Sequence, residues 1–194
     1  MKTTIYDSIN RSIAAKQEIL HDEQLQDLIG EVSQAMIRLF KADHKVLFCG
    51  NGGSAADAQH LAAELSGRFY FDRPPLFSEA LHVNSSYVTA VANDYSYNEV
   101  YARMTKAAGR SGDMLVGIST SGNSPNVLRA LEVAKEQGMI TVGMTGKTGG
   151  KMKDVCDFLL NVPSTDTPRI QECHILIGHI ICQLVEEELF GKKA

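Results

Sequence analysis

The sequence predicts a three-layer α/β fold, a doubly wound and mainly parallel sheet flanked by helices, with an N-terminal helical arm. Two observations lead there. Short apolar runs of strand length, at residues 46–49, 80–83, 114–118, 140–144 and 158–162, recur with segments of helical period between them. Polar turns rich in glycine and serine follow the first and third runs directly. At 194 residues the chain is one domain, long enough to bury about 70% of the surface its unfolded form exposes. Residues 1–40 read as the arm and 45–194 as the α/β core.

In the arm, Ile9, Ile13, Leu20, Leu25, Leu28, Ile29, Val32, Met36 and Leu39 repeat largely at three- and four-residue spacing, predicting two helices separated near His21-Asp22. It carries no chemical motif, so its expected role is to pack on the core or on another subunit. The run at 46–49 passes into Gly50-Asn51-Gly52-Gly53-Ser54, and a helix is expected from Ala55, with Asp57, His60 and Glu64 at helical spacing. A strand at 80–83 precedes helices at 87–92 and 97–107. The strand at 114–118 meets a serine-rich loop, and a helix at 126–137 ends at Gly138. Strands at 140–144 and 158–162 lead to a last helix at 169–189. In such an alternation the ligand site lies at the carboxyl ends of the strands.

Composition narrows the function. The chain is 44% hydrophobic and 22% charged with net charge −4, which supplies no basic surface for nucleic acid or an anionic membrane. Cys49, Cys156, Cys173 and Cys182 form no CxxC pair and read as reduced thiols of a cytoplasmic protein. Apolar runs stop well short of the ~18 residues a membrane span needs. A soluble protein is expected.

Two loops carry the chemistry. The glycine turn at 50–54 brings backbone N–H groups and a helix N-terminus together, which suits an anionic group. The loop Gly117-Ile118-Ser119-Thr120-Ser121-Gly122-Asn123-Ser124-Pro125 adds four hydroxyls and holds no lysine, the pattern of a monophosphate site built from neutral donors. Its plainer reading is a turn with Ser124 as N-cap and Pro125 at N1. Two motif matches fail on spacing. Gly50 to Ala55 fits G-x-G-x-x-A, but Asp72, the acidic residue at the right distance, adjoins Arg73-Pro74-Pro75 rather than a strand end; Gly146-Lys147-Thr148 lacks the opening glycine of a P-loop, because Thr141 stands there.

His60 and Glu64 share one helical face, as a metal pair, a base beside an imidazole, or a plain surface contact. In the last helix Gln171, His174 and His179 interrupt an apolar run. Gln171 and His179 lie ~80° apart on the wheel and the two histidines ~140° apart, so one histidine at most shares a site with Gln171. Periodicity does not choose which.

Taken together, GNGGSAADAQHLAAEL, GISTSGNSPNV, ANDYSYNEV, TGKTGGKM and RIQECHILIGHIICQL resemble the sugar isomerase (SIS) domain family and, more narrowly, the phosphoheptose isomerases within it. The resemblance runs through nearly the whole chain. It implies interconversion of sedoheptulose 7-phosphate and D-glycero-D-manno-heptose 7-phosphate through an enediol, on the route to the heptose of the lipopolysaccharide core. It implies one Zn2+ on His60, Glu64, Gln171 and His179, with Glu64 and His179 as acid and base. Phosphate is implied at Ser119, Thr120, Ser121 and Ser124, and the sugar chain at Asn51, Gly52, Gly53, Ser54, Asn93 and Asp94, with Glu64 and Gln171 also on the substrate. Arg68 is implied to reach the substrate across a subunit boundary of a homotetramer. Ala55-Ala56 and Pro168 depart from residues other members carry. The competing class is a non-catalytic SIS-domain binding protein, a phosphosugar sensor or a partner of a replication initiator, which has no need of His60, Glu64, Gln171 and His179.

Overall fold

The computed structural model describes residues 1–191. Its strands are β1 (Val46–Gly50), β2 (Ser78–Ala80), β3 (Met114–Ile118), β4 (Ile140–Thr145) and β5 (Phe158–Asn161). Its helices are α1 (Lys2–Leu20), α2 (Glu23–Lys41), α3 (Gly53–Ser66), α4 (Ser85–Asp94), α5 (Val100–Ala108), α6 (Pro125–Glu136) and α7 (Thr167–Phe190), with short 3-10 turns at Tyr97–Glu99 and Gly150–Asp154. The strands form one sheet in the order β2-β1-β3-β4-β5, and every pairing is parallel.

Alternate side chains of each strand feed two cores, as a pleated strand buried on both faces requires. Val46, Phe48, Met114, Val116, Val142 and Met144 pack with α2, α3 and α7. Leu47, Cys49 and Leu115 pack with residues of α4, α5 and α6, Val91, Tyr101 and Leu131 among them. β1 is therefore followed by a helix on one face and β3 by a helix on the other, which makes the gap between them the point where the winding reverses.

Most boundaries fall within two residues of expectation, and two differences have plain causes. The strand expected at 80–83 lies at Ser78–Ala80, because the parallel register pairs Val46 with Ser78; the last ladder bond is Leu81 N to Phe48 O (2.9 Å), after which Val83 N turns back to Ala80 O (3.3 Å). The helix after the glycine turn opens at Gly53 rather than Ala55, since Ala55 N and Ala56 N both donate to Gly52 O at 3.1 Å.

The arm divides at His21-Asp22, where Asp22 caps α2 by accepting from Leu25 N at 3.0 Å. α2 buries Leu25, Ile29, Val32 and Met36, but α1 buries only Ala15 and Ile19, leaving Ile5, Tyr6, Ile9 and Ile13 exposed. The four cysteines are free thiols, and burial pushes Cys156 and Cys182 up to about 12. Among the described residues no helix is long and apolar enough to cross a membrane.

Candidate active site

The carboxyl ends of β1 and β3 carry the two loops singled out above, and side chains from each tie them together. Asn51 and Asn126 exchange amide bonds, Nδ2 to Oδ1 in both directions at 2.9 Å, while Tyr97 Oη donates to Asn51 Oδ1 at 3.1 Å. Tyr101 Oη donates to the Gly50 carbonyl beneath. Asn126 and Tyr97 fall inside stretches quoted above and Tyr101 just beyond one, but the sequence assigns them no role; the fold reveals them as the frame of the crevice.

In the serine loop Ser124 occupies the N-cap of α6 without using its hydroxyl as a cap. That hydroxyl instead lies 2.8 Å from Ser119 Oγ, which is itself 3.5 Å from Ser121 Oγ. Three hydroxyls converge; Ser124 is the N-cap and Pro125 opens the helix, as the plain reading has it, but the Ser124 hydroxyl is turned to the loop and not to the helix backbone. Thr120 and Ser121 also line an open cleft of about 290 Å³ with Lys147, Thr148, Ser164 and Thr165. No lysine stands in the serine loop itself; Lys147 comes from the end of β4, next to β3 in the sheet, where Gly146 N donates to Thr120 O at 3.0 Å.

A second cluster forms where α3 packs on α7. Gly178 permits the approach, because a Cβ there would stand 2.5 Å from the Leu61 methyls. On the outer side of that contact His60 Nε2 lies 3.0 Å from Glu64 Oε1 and 3.4 Å from His179 Nε2, and one ligand atom from each of the three falls within 4.8 Å of the others. The imidazole rings of His60 and His179 meet edge to face at 4.9 Å, and Phe69 lies against His179 at 5.5 Å. Burial first and then the neighbouring His60 hold His179 below the ordinary imidazole range, against the pull of Glu64. A neutral imidazole is the form that binds a metal or accepts a proton. One turn earlier on α3, burial raises the Asp57 carboxyl, opposed by His60.

His174 is the other histidine of α7, and it is a core residue: fully buried, its Nε2 donates to Thr145 O at 3.1 Å. Gln171 is placed at the start of α3. Its amide packs on Gly53, where a Cβ would meet Nε2 at 2.6 Å, and from Gly53 to His60 the helix rises about 10 Å. His60, Glu64 and His179 come together within one chain, and the Gln171 amide stands beside the glycine turn. Asn93 and Asp94 end α4, both exposed, with Asn93 Nδ2 donating to Asp94 Oδ1 at 2.9 Å. Arg68 is exposed on the loop after α3.

These features define the class first: the chain carries a SIS domain, whose family model matches residues 10–146. The phosphoheptose isomerase of Aneurinibacillus thermoaerophilus is 54% identical over 193 residues, covering 100% of this chain and 98% of that protein. Phosphoheptose isomerase 2 of Campylobacter jejuni is 55% identical over 181 residues, 93% of this chain and 90% of its own length. Among solved structures, the phosphoheptose isomerase GmhA of Neisseria gonorrhoeae superposes with a TM-score of 0.90 at 42% identity, covering 96% of this chain and 98% of that one. The chain belongs to the phosphoheptose isomerase family and is an isomerase.

Proposed function

We propose that the chain interconverts sedoheptulose 7-phosphate and D-glycero-D-manno-heptose 7-phosphate. The observation that carries the reading is the trio on α3 and α7, a carboxylate and a low-pKa imidazole side by side in a chain whose family isomerises phosphoheptoses. Aldose–ketose exchange needs a proton removed beside a carbonyl and returned one carbon over, and Glu64 and His179 are the acid–base pair for it. Ser119, Thr120, Ser121 and Ser124 hold the phosphate with neutral donors, while Asn51, Gly52, Gly53, Ser54, Asn93 and Asp94 take the sugar chain. Phosphate held far from the reacting carbons turns binding energy into positioning.

The trio also fits a zinc ion. Ligand atoms at the 2.0–2.1 Å usual for zinc stand about 3.4 Å apart around a tetrahedron, and the 3.0 Å and 3.4 Å separations here are close to that. Zinc bound by His60, Glu64 and His179 supplies Lewis acidity to the substrate carbonyl. Gln171 is the fourth member of that set, and assembly as a homotetramer puts the sites at subunit contacts, where Arg68 reaches the substrate of a neighbour. The exposed apolar residues of α1 support such an assembly. The pathway placement, in the cytoplasm and toward a lipopolysaccharide heptose, follows from the substrate. Incubating the purified protein with sedoheptulose 7-phosphate, with and without a chelator, tests the reading. Aldoheptose should form and chelation should stop it; no product from the metal-loaded protein would sink it.

A further inference from the structure

Beside the trio lies a buried ion pair that the proton transfer does not use. The side chains of Arg73 and Glu186 are each 1% exposed and meet at 2.8 Å, Nε to Oε1. The Glu186 carboxylate also accepts from the backbone N–H groups of Phe69 (2.9 Å), Tyr70 (2.5 Å) and Phe71 (3.0 Å). The Arg73 guanidinium donates to the carbonyls of Glu64 and Leu65 at 2.8 Å, Pro74 at 3.1 Å and Gly67 at 3.3 Å. Burial pushes Glu186 up, but the three N–H groups and Arg73 outweigh it and hold the carboxylate below its ordinary range.

Each of these bonds has a consequence for the site. The carbonyls of Glu64 and Leu65 belong to the last turn of α3, where no intrahelical partner exists, so Arg73 acts as the cap of that helix with a favourable charge. Glu186 stands about 20° from His179 around α7, two turns on, and so continues the stripe that faces α3. Arg68 lies between Gly67, whose carbonyl Arg73 takes, and Phe69, whose N–H Glu186 takes and whose ring rests on His179.

We propose that Arg73 and Glu186 are positioning residues: the pair fixes the end of α3 against α7, keeping Glu64 and His179 at ligand spacing, and pins the peptides on both sides of Arg68. The inference rests on the reading of the trio given under Proposed function. It accounts for a buried ion pair at this place, whose desolvation makes it a poor source of stability alone. Residues that orient metal ligands from behind typically change metal affinity 10–100-fold when replaced. A residue that only stabilises the fold does not.

The variants are Glu186→Gln and, should that one fail to fold, Arg73→Lys, which keeps the charge but cannot reach four carbonyls. Asp113→Asn is the control. Asp113 is an equally buried carboxylate in another part of the molecule, bonded to Lys45 Nζ at 2.6 Å and to the Arg110 backbone N at 2.8 Å. Amide exchange at Phe69, Tyr70 and Phe71 is followed in metal-free protein, zinc affinity by competition with a chromophoric chelator, and turnover in the heptose phosphate assay. Glu186→Gln should exchange at least tenfold faster at the three amides, bind zinc at least tenfold more weakly, and lose more in kcat than in KM. Asp113→Asn should melt earlier with zinc affinity within twofold of the parent. A folded Glu186→Gln or Arg73→Lys whose exchange and zinc affinity both stay within twofold of the parent overturns the proposal, as does an equal loss of zinc in Asp113→Asn. If the parent takes up no zinc, the metal reading fails separately, and amide exchange decides the pair by itself.

Discussion

His60, Glu64 and His179 are ordinary residue types given a task by their spacing. Removing the proton-carrying group should cost turnover far more than stability, so Glu64→Gln and His179→Gln are each expected to lower kcat by about 10²-fold or more. Metal content recorded on the same samples separates loss of the base from loss of the ion. His174 makes an opposite prediction. With Nε2 donating to Thr145 O and a buried Nδ1 that has no partner, burial lowers its pKa to about 4, the carbonyl bond opposing. The unfolded chain takes up that proton near pH 6.5, so stability from this group is complete above 6.5 and falls as pH drops toward 4, by about 3 kcal/mol in all. Urea midpoints at pH 7 and 4.5 check it: the parent should lose more than His174→Gln. Choosing between His174 and His179 was beyond the sequence's periodicity because a wheel gives angle only. What decides it is the contact across the helix, Thr145 O for one and His60 for the other.

Among the elements, the α3–α7 pair brings the trio together and is held close by a missing side chain. Gly178→Ala would drive a methyl into Leu61, itself only 2% exposed. Overpacking of this kind costs about 1–3 kcal/mol. The added separation should also weaken metal binding, so a thermal melt paired with a zinc titration is the measurement, and a variant with unchanged zinc affinity would count against helix spacing as the determinant. Nothing in the local sequence marks Gly178 as a contact glycine, since it sits in an apolar run that reads as helix either way. The sheet was more legible. Runs at 114–118 and 140–144 were placed within a residue, because buried parallel strands are continuously apolar. The edge strand was misplaced by two residues because Ser78 and Glu79 carry no strand signal and only pairing with β1 identifies them.

At the scale of the whole molecule, α1 has more apolar surface than one chain buries. Ile5, Ile9 and Ile13 repeat every four residues and are 47–59% exposed, and a groove of about 380 Å³ nearby is lined by Ile19, Ile29, Leu176, Ile180 and Leu184. A monomer rarely leaves such a stripe to water. Light scattering should find the tetramer for the parent and smaller species for Ile9→Asp/Ile13→Asp, with chain folding retained by circular dichroism. If the sites lie at subunit contacts, as proposed above, dissociation should lower turnover as well. The sequence pattern announced the arm's helices and their lack of chemistry, but not how much of α1 one chain leaves exposed, because burial depends on what packs against a helix face.

The paired amides of Asn51 and Asn126 bridge the two loops without a single titratable atom. Such a crossbar keeps its form and its bonds across the whole working range of pH, and salt does not screen it. His179, which burial and the neighbouring His60 hold below the ordinary imidazole range, has no such immunity. A change in the rate–pH profile therefore does not come from this crossbar.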